Sequence, residues 1–197
     1  MEEINNIPEE LIAFLKEFDS IPEESIEEIA QTIPVVSVKK GTYLIEDNKV
    51  PDACYFVLRG LVRQGVLIDG NEKTTAFYSE RNGAVSSSDF LEQTPFSGFL
   101  VCAEDALLIR GSRDLNEENL KRFPVLQQIV AKMLENDLNR TRDQLKTFIV
   151  SSPEERYLSL LKEQPDLINR VPLHQIASLL GITAESLSRI RKRIVTR

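Results

Sequence analysis

The sequence is poor in the residue types on which metal binding and catalysis depend most. Among 197 residues there are one histidine, two cysteines and no tryptophan. Because His174 is the only histidine and Cys54 and Cys102 stand far apart, a zinc or iron–sulfur site would lack ligands. No nucleophile–base pair and no glycine-rich phosphate loop can be assembled either. We therefore expect no metal, no cofactor and no enzymatic activity.

Other absences bear on where the protein works. The longest apolar run, Ala53–Leu58, has six residues, whereas about 18 are needed to cross a bilayer. The acidic start MEEINNIPEE lacks the basic region and apolar stretch of a secretory signal. Cys54 and Cys102 lie in apolar segments, so two buried free thiols are favoured and a disulfide is the alternative. These features predict a cytoplasmic protein that does not span a membrane.

A net positive charge is also missing, which at first argues against a nucleic-acid partner. The formal net charge is −7, but it is unevenly distributed. Residues 151–197 hold eight Lys or Arg and five Asp or Glu, a balance of +3, which leaves −10 for residues 1–150. Within residues 184–197 five basic residues stand against one acid. A basic end on an acidic chain is typical of a phosphate-binding module, although a solvated basic helix would show it too.

The first part of the chain divides into a short helical region and a longer β region. Residues 8–18 and 22–33 each begin with Pro-Glu-Glu, which suits a first helical turn. Over residues 35–110, short segments rich in branched and aromatic residues predict seven or eight strands in a sandwich or barrel. The pairs Asp69-Gly70 and Asn82-Gly83 predict tight turns. The strand segments are VVSV, TYLI, CYFVLRG, LVRQGVLI, TTAFY, FLVCA and ALLIR.

A long helix is predicted over residues 117–148, with Pro124 in its N-terminal turn. About 25 helical residues span about 37 Å, more than a small β-domain needs to cover itself. Ile129 and Met133 form one apolar set that could face the β-domain. We interpret a second stripe as the seam of a parallel homodimer, with packing inside one subunit as the alternative. The seam residues are Leu126, Val130, Leu134, Leu138, Thr141 and Leu145.

The strongest motif is PLHQIASLLGITAESLSRIRKRIV, which follows a helix predicted at residues 154–163. Ala177 is small enough for two helices to cross closely, and Gly181 can adopt the left-handed conformation that ends a helix. Thr183 can cap the next helix. The pattern predicts a helix-turn-helix, and an αα-hairpin used only for packing is the alternative. Its apolar positions are Ile176, Leu180, Ile182, Leu187 and Ile190.

The helix after the turn presents residue types that read DNA bases. Arg189 can bond bidentately to guanine, Glu185 can accept from cytosine, and Ser188 can contact a base or a phosphate. Arg191 and Arg193 are better placed for phosphates, which supply affinity without sequence preference. The predicted DNA-binding residues are Thr183, Glu185, Ser188, Arg189, Arg191, Lys192 and Arg193.

The order of β-rich region, long helix and helix-turn-helix resembles the Crp/Fnr family of bacterial transcription regulators. The resemblance covers nearly the whole chain and is sharpest in EERYLSLLKEQPDLINRVPLHQIASLLGITAESLSRIRKR. It implies an α+β fold with a cyclic-nucleotide-binding-like β-roll (a double-stranded β-helix, jelly-roll-like) and flanking helices at 1–115. A dimerisation helix at 116–149 and a DNA-binding domain at 150–197 would follow. It also implies a homodimer on a two-fold symmetric site in double-stranded DNA, with RNA polymerase as a further partner. Thr183, Glu185 and Arg189 match the family's DNA-contacting positions.

The effector pocket that the resemblance implies lacks its charged anchors. In the family a Gly-Glu step holds the ribose hydroxyl, and a later Arg before Ser or Thr pairs with the cyclic phosphate. The matching places read Gly83-Ala84 and Ser97-Gly98. Without these charges we expect no response to cyclic AMP, and the effector is unknown. A small polar pocket is one interpretation of the remaining residues, and a solvated loop is favoured; the residues are Gly83, Ala84, Ser86, Ser87, Ser88 and Ser97.

One alternative function stands beside the regulator hypothesis. The chain could be a ligand-binding or protein-interaction module whose terminal helices only pack. Such a module would hold a small molecule tightly and would lack affinity for DNA at physiological salt.

Overall fold

The computed structural model describes residues 1–4, 6–80, 84–85, 90 and 92–195. The chain forms two compact units. The first unit comprises Met1–Gln64 and Phe77–Asp137, and the second comprises Gly65–Ala76 and Leu138–Arg197. Each unit is therefore assembled from stretches that are separated in the sequence.

Two helices precede the β region at residues 35–110, as the Pro-Glu-Glu pattern predicts. Helix α1 spans Glu9–Lys16, and a 3₁₀ turn at Glu23–Ser25 leads into α2 at Ile26–Thr32. Pro8 and Pro22 stand immediately before the helical residues. Glutamates occupy the first turns, where a carboxylate interacts favourably with the positive end of the helix dipole.

Nine strands in the described residues form two open sheets rather than a closed barrel. They are β1 Glu2–Glu3, β2 Val35–Val38, β3 Tyr43–Ile45, β4 Cys54–Arg59, β5 Leu61–Ile68, β6 Asn71–Ser79, β7 Ala84–Val85, β8 Phe99–Cys102 and β9 Ala106–Gly111. The first sheet has the order β1-β2-β9-β4-β7 and the second β3-β8-β5-β6. The seven predicted segments correspond to β2–β6, β8 and β9, and none of them contains the two-residue strand β7. The sequence does not predict β1, because two glutamates carry no apolar alternation; pairing of Glu2 with Ser37 of β2 forms it.

Alternate residues of the central strands face two different cores. Ala106 and Leu108 of β9 pack in a core that also contains Leu100 of the second sheet. Leu107, between them, packs in another core with Leu11 of α1. Because successive side chains of a strand point to opposite faces, the first sheet covers the core between the sheets on one side and the helices on the other.

Two turns depend on residues that tolerate a positive φ. Asp69 and Gly70 have φ of 51° and 75° and form the tight turn predicted between β5 and β6. Gly60, between β4 and β5, has φ 101°, and a Cβ there would lie 2.6 Å from the carbonyl oxygen of Asp105. Only glycine allows that approach. The predicted Asn82-Gly83 turn lies outside the described residues.

Cys54 and Cys102 are free thiols, the first half-buried and the second buried. Burial raises the pKa of Cys102 to about 11. The Cys102 thiol therefore stays protonated at neutral pH, and only the thiolate is a strong nucleophile.

Two helices follow β9 where the sequence predicts one helical segment. Helix α3 spans Arg113–Arg122, and α4 spans Pro124–Val150 with 27 residues. The break falls at Phe123, with φ −124° and ψ 84°, because a proline disfavours the helical conformation at the residue before it. The long helix thus begins at the predicted Pro124. Within the described part of the chain, no helix is both long and apolar enough to cross a membrane.

Four helices follow α4 in the second unit. They are α5 Pro153–Glu163, α6 Leu167–Arg170, α7 Leu173–Leu179 and α8 Ala184–Val195. Helix α5 and the α7–turn–α8 pair occupy the predicted positions. The one-turn helix α6 is too short for its periodicity to be read from the sequence.

Candidate nucleic-acid interface

The α7–turn–α8 pair is held by a compact apolar core. Ile176 and Leu187 are completely buried, and Ala177, at 1% exposure, leaves room for the helices to cross closely. Leu180 and Ile190 are buried as well. The predicted apolar positions therefore form the core of the helix-turn-helix, with Ile182 half-buried at its corner.

The turn ends α7 with two hydrogen bonds of the Schellman type. The N–H of Gly181 donates to the carbonyl of Ser178 at 3.0 Å, and the N–H of Ile182 donates to the carbonyl of Ala177 at 3.0 Å. Gly181 has φ 69°, and a Cβ there would lie 3.0 Å from the ring of Phe148. Both the backbone conformation and the adjacent ring therefore favour glycine here.

Helix α5 begins with a reciprocal capping box. The N–H of Glu155 donates to Ser152 Oγ at 3.3 Å, and the N–H of Ser152 donates to Glu155 Oε2 at 2.7 Å. Two N–H groups that the helix leaves without a partner are satisfied in this way. The bond from the Ser152 backbone, followed by that from its side chain, lowers the pKa of Glu155.

We expect this cap to make the stability of α5 depend on pH. Because the folded-state pKa of Glu155 is lowered, its contribution is present above the unfolded pKa and is lost as pH falls through the folded pKa. Glu155→Gln should lower the thermal midpoint at pH 7, and the difference from wild type should shrink as pH approaches 3. Thermal unfolding followed by circular dichroism measures this. A difference that stays constant over that pH range would contradict the role of the charge.

Arg156 of α5 joins three parts of the second unit. Its Nη1 donates to the carbonyls of Phe148 at 3.2 Å and Ser151 at 2.8 Å, and its Nη2 donates to the carbonyl of Leu180 at 2.9 Å. Its Cζ lies 4.6 Å from the centroid of the Phe148 ring, within cation–π range. One guanidinium therefore links the end of α4, the α4–α5 connection and the end of α7. The sequence gives no local signal for this role.

The side of α8 opposite its buried residues carries the predicted base-reading side chains. On that side Glu185 and Arg189 are exposed and Ser188 is half-buried, and Thr183, just before the helix, is exposed as well. Thr183 caps the helix, since the N–H of Ser186 donates to Thr183 Oγ1 at 3.2 Å. A hydrogen bond from its own backbone N–H, then one from Thr183 and the charge of Arg189, lower the pKa of Glu185. Glu185 is therefore an ionised acceptor at neutral pH.

The three basic residues at the end of α8 differ in their surroundings. Arg191, Lys192 and Arg193 are all exposed. However, Arg193 Nη2 lies 3.1 Å from Glu154 Oε2 of α5, so part of its charge is engaged within the helix-turn-helix region. Arg191 is therefore the better candidate for a phosphate contact.

The predicted seam residues fall into two groups along α4. Leu126 is 8% exposed and packs with Ile129 and Leu11 in the core of the first unit. It is therefore not part of an exposed stripe, and its burial corrects the sequence-based assignment. The other seam residues lie on the surface: Val130, Leu134, Leu138, Thr141 and Leu145, with the apolar members 42–59% exposed.

The predicted effector pocket is described only in part. Gly83, Ser86, Ser87 and Ser88 lie outside the described residues. Ala84 belongs to β7, where it is paired with Phe56 of β4. Ser97 is exposed just before β8, and the next residue, Gly98, donates its N–H to Asp47 Oδ1 at 2.8 Å. The polar pocket stays a prediction.

The second unit also contains a contact that the sequence does not predict. The N–H of Thr74, in the β5–β6 hairpin, donates to Ser178 Oγ of α7 at 2.8 Å. Thr74 is 5% exposed. These residues are 104 positions apart, and no local pattern in either segment indicates their pairing.

Comparison with known proteins bears on the fold. No protein-family model and no curated protein sequence matches the chain. Solved structures do. FixK2 from Bradyrhizobium japonicum is 19% identical, with a TM-score of 0.68 over 83% of this chain and 85% of that one. The catabolite activator protein of Thermus thermophilus is 20% identical and has a TM-score of 0.54; the match covers 91% of this chain and 86% of that one. CLP of Xanthomonas campestris, a c-di-GMP-responsive global regulator, is 16% identical and has a TM-score of 0.66; the match covers 89% of this chain and 92% of that one. The chain therefore has the α+β fold of the Crp/Fnr regulators.

Proposed function

We propose that the protein is a sequence-specific transcription regulator that binds double-stranded DNA. The observation that carries this proposal is the geometry of α8. Leu187 and Ile190 fix one side of the helix to the core, while Glu185 and Arg189 stand exposed on the other side. A helix presented in this way fits the major groove and can read donors and acceptors on base edges. Similarity in fold to known regulators supports the same function.

The protein acts as a homodimer through α4. Leu134 and Leu138, about half exposed, stand on consecutive turns of the helix, and Leu145 continues the stripe. An apolar stripe of this length on one helix is typical of a surface that another copy covers. Two copies related by a two-fold axis present two α8 helices, so the DNA site has two-fold symmetry.

Each of three parts of the chain has its own role: residues 1–115 sense, residues 116–149 form the dimer, and residues 150–197 bind DNA. The sensing part does not respond to cyclic AMP, because Ala84 and Ser97 replace the carboxylate and the guanidinium that would hold that ligand. RNA polymerase is the further partner, the protein works in the cytoplasm, and it is not an enzyme.

Selection of bound sequences from a random DNA pool, with the full chain, tests this function. We expect a two-fold symmetric site whose log association constant falls linearly with log salt concentration. Binding with neither sequence preference nor salt dependence would exclude a DNA-reading role. A tightly held small molecule together with no DNA affinity would instead favour the ligand-binding module.

Arg189 and Arg191 should differ in how they contribute to binding. Arg189→Ala is expected to cost about 1–3 kcal/mol and to relax preference at one base position in each half-site. Arg191→Ala should weaken binding to all sequences alike and reduce the salt slope by about one. Fluorescence anisotropy titrations on the selected site and its single-base variants measure both effects. Equal losses of preference in the two variants would contradict these assignments.

A further inference from the structure

We propose that Ser186 is a positioning residue that holds the Arg189 side chain for base recognition. The inference rests on the proposed DNA-binding function, and Ser186 is not among the DNA-binding residues predicted from the sequence. Ser186 is half-buried on α8, one helical turn before Arg189. Its role is to restrict the arginine rather than to contact a base itself.

The argument begins with a chain of hydrogen bonds at three-residue spacing. The hydroxyl groups of Thr183 and Ser186 share a hydrogen bond of 3.2 Å, and Arg189 Nη2 donates to Ser186 Oγ at 3.1 Å. Residues three apart are neighbours on a helix surface, so all three side chains lie in one row. The row begins at the cap of α8 and ends at the guanidinium.

The hydroxyl of Ser186 is well suited to make these bonds. A serine hydroxyl has one donor proton and two acceptor lone pairs, so Ser186 can accept from Arg189 while it stays bonded to the hydroxyl of Thr183. The cap orients this oxygen independently, because the backbone N–H of Ser186 donates to Thr183 Oγ1 at 3.2 Å. Arg189 therefore bonds to an acceptor that is itself fixed to the first turn of the helix.

The bond leaves the arginine able to recognise a base. A guanidinium has five N–H donors, and one is used on Ser186. Four remain, and a bidentate contact with guanine O6 and N7 needs two. A neutral hydroxyl also holds Arg189 less strongly than the carboxylate of Glu185, one turn away, would. Ser186 thus limits the rotamers of a long side chain without neutralising its charge.

Ser186→Ala tests the proposal because it removes only the shared hydroxyl. The capping bond to Thr183 uses the backbone N–H, so the thermal midpoint should stay unchanged. We expect preference at the base pair read by Arg189 to fall about two- to tenfold, the range for releasing one restricted side chain. Ser186→Thr keeps a hydroxyl at the same place and should retain the preference. The readout is the affinity ratio between the selected site and its variant at that base pair.

A double-mutant cycle distinguishes positioning from a general structural role. In the Arg189→Ala background, Ser186→Ala should cause no further loss, because the group it positions is gone. An equal loss in both backgrounds, a uniform loss on all sequences, or an unchanged preference in Ser186→Ala would overturn the proposal. Failure of the underlying function would look different, since wild-type protein would then select no DNA site at all.

Discussion

Replacing Leu134 with glutamate is expected to convert the proposed dimer into a monomer of 22.4 kDa. Leu134 is 45% exposed near the middle of the proposed seam. Two-fold symmetry places both new carboxylates in one apolar interface, where neither would be solvated or paired. Light scattering measures the molar mass directly. A monomer presents only one α8 helix, so its binding to the proposed two-fold DNA site should be about 10²- to 10⁴-fold weaker.

A matched variant on another face of the same helix controls for the added charge. Asn136 is exposed and lies about 200° around the helix from Leu134, at 100° per residue. Asn136→Glu also adds one negative charge, yet it should leave both the dimer mass and the DNA affinity near wild type. A dimer mass for Leu134→Glu would place the interface elsewhere, and a monomer for both variants would point to unfolding or a general charge effect.

The helix-turn-helix could be predicted from the sequence because its determinants are local. Gly181, Thr183 and the apolar residues around them lie within about fifteen positions, and each has a fixed mechanical role. The structure places Ile176 and Leu187 in the core and gives Gly181 the left-handed conformation that the turn requires. Most of the strands could be predicted for the same reason, since short runs of branched and aromatic residues are separated by turn residues.

Features that join distant segments could not be predicted in this way. Arg193 looks like a further phosphate contact in the sequence, but its distance to Glu154 is set by how α5 packs against α8. Leu126 fits the seam periodicity, yet the fold buries it with Leu11. The bond between Thr74 and Ser178 joins a hairpin to a helix that follows much later. Periodicity along one element indicates which face is apolar, but not which partner covers it.

Arg156 is the most consequential of these non-local features, and its removal should have the second large effect. Arg156→Ala would leave the carbonyls of Phe148, Ser151 and Leu180 without a shared donor and would remove the cation–π contact. We expect the second unit to lose about 3 kcal/mol of unfolding free energy, since each bond to a charged group contributes about 1.5–3 kcal/mol and Arg156 is only half-buried. Hydrogen exchange of amides in α7 and α8 localises the loss.

Two further variants separate the geometry of the guanidinium from its charge. Arg156→Lys keeps the charge but replaces a planar fork with a single ammonium, which cannot span three carbonyls and also cover a ring. It should therefore recover only part of the lost stability. Arg191→Ala removes an exposed arginine from α8 and should change unfolding by less than about 0.5 kcal/mol. If Arg156→Lys were as stable as wild type, charge alone would explain the site. If Arg156→Ala and Arg191→Ala lost the same unfolding free energy, the contacts of Arg156 with α4, α5 and α7 would not stabilise the second unit.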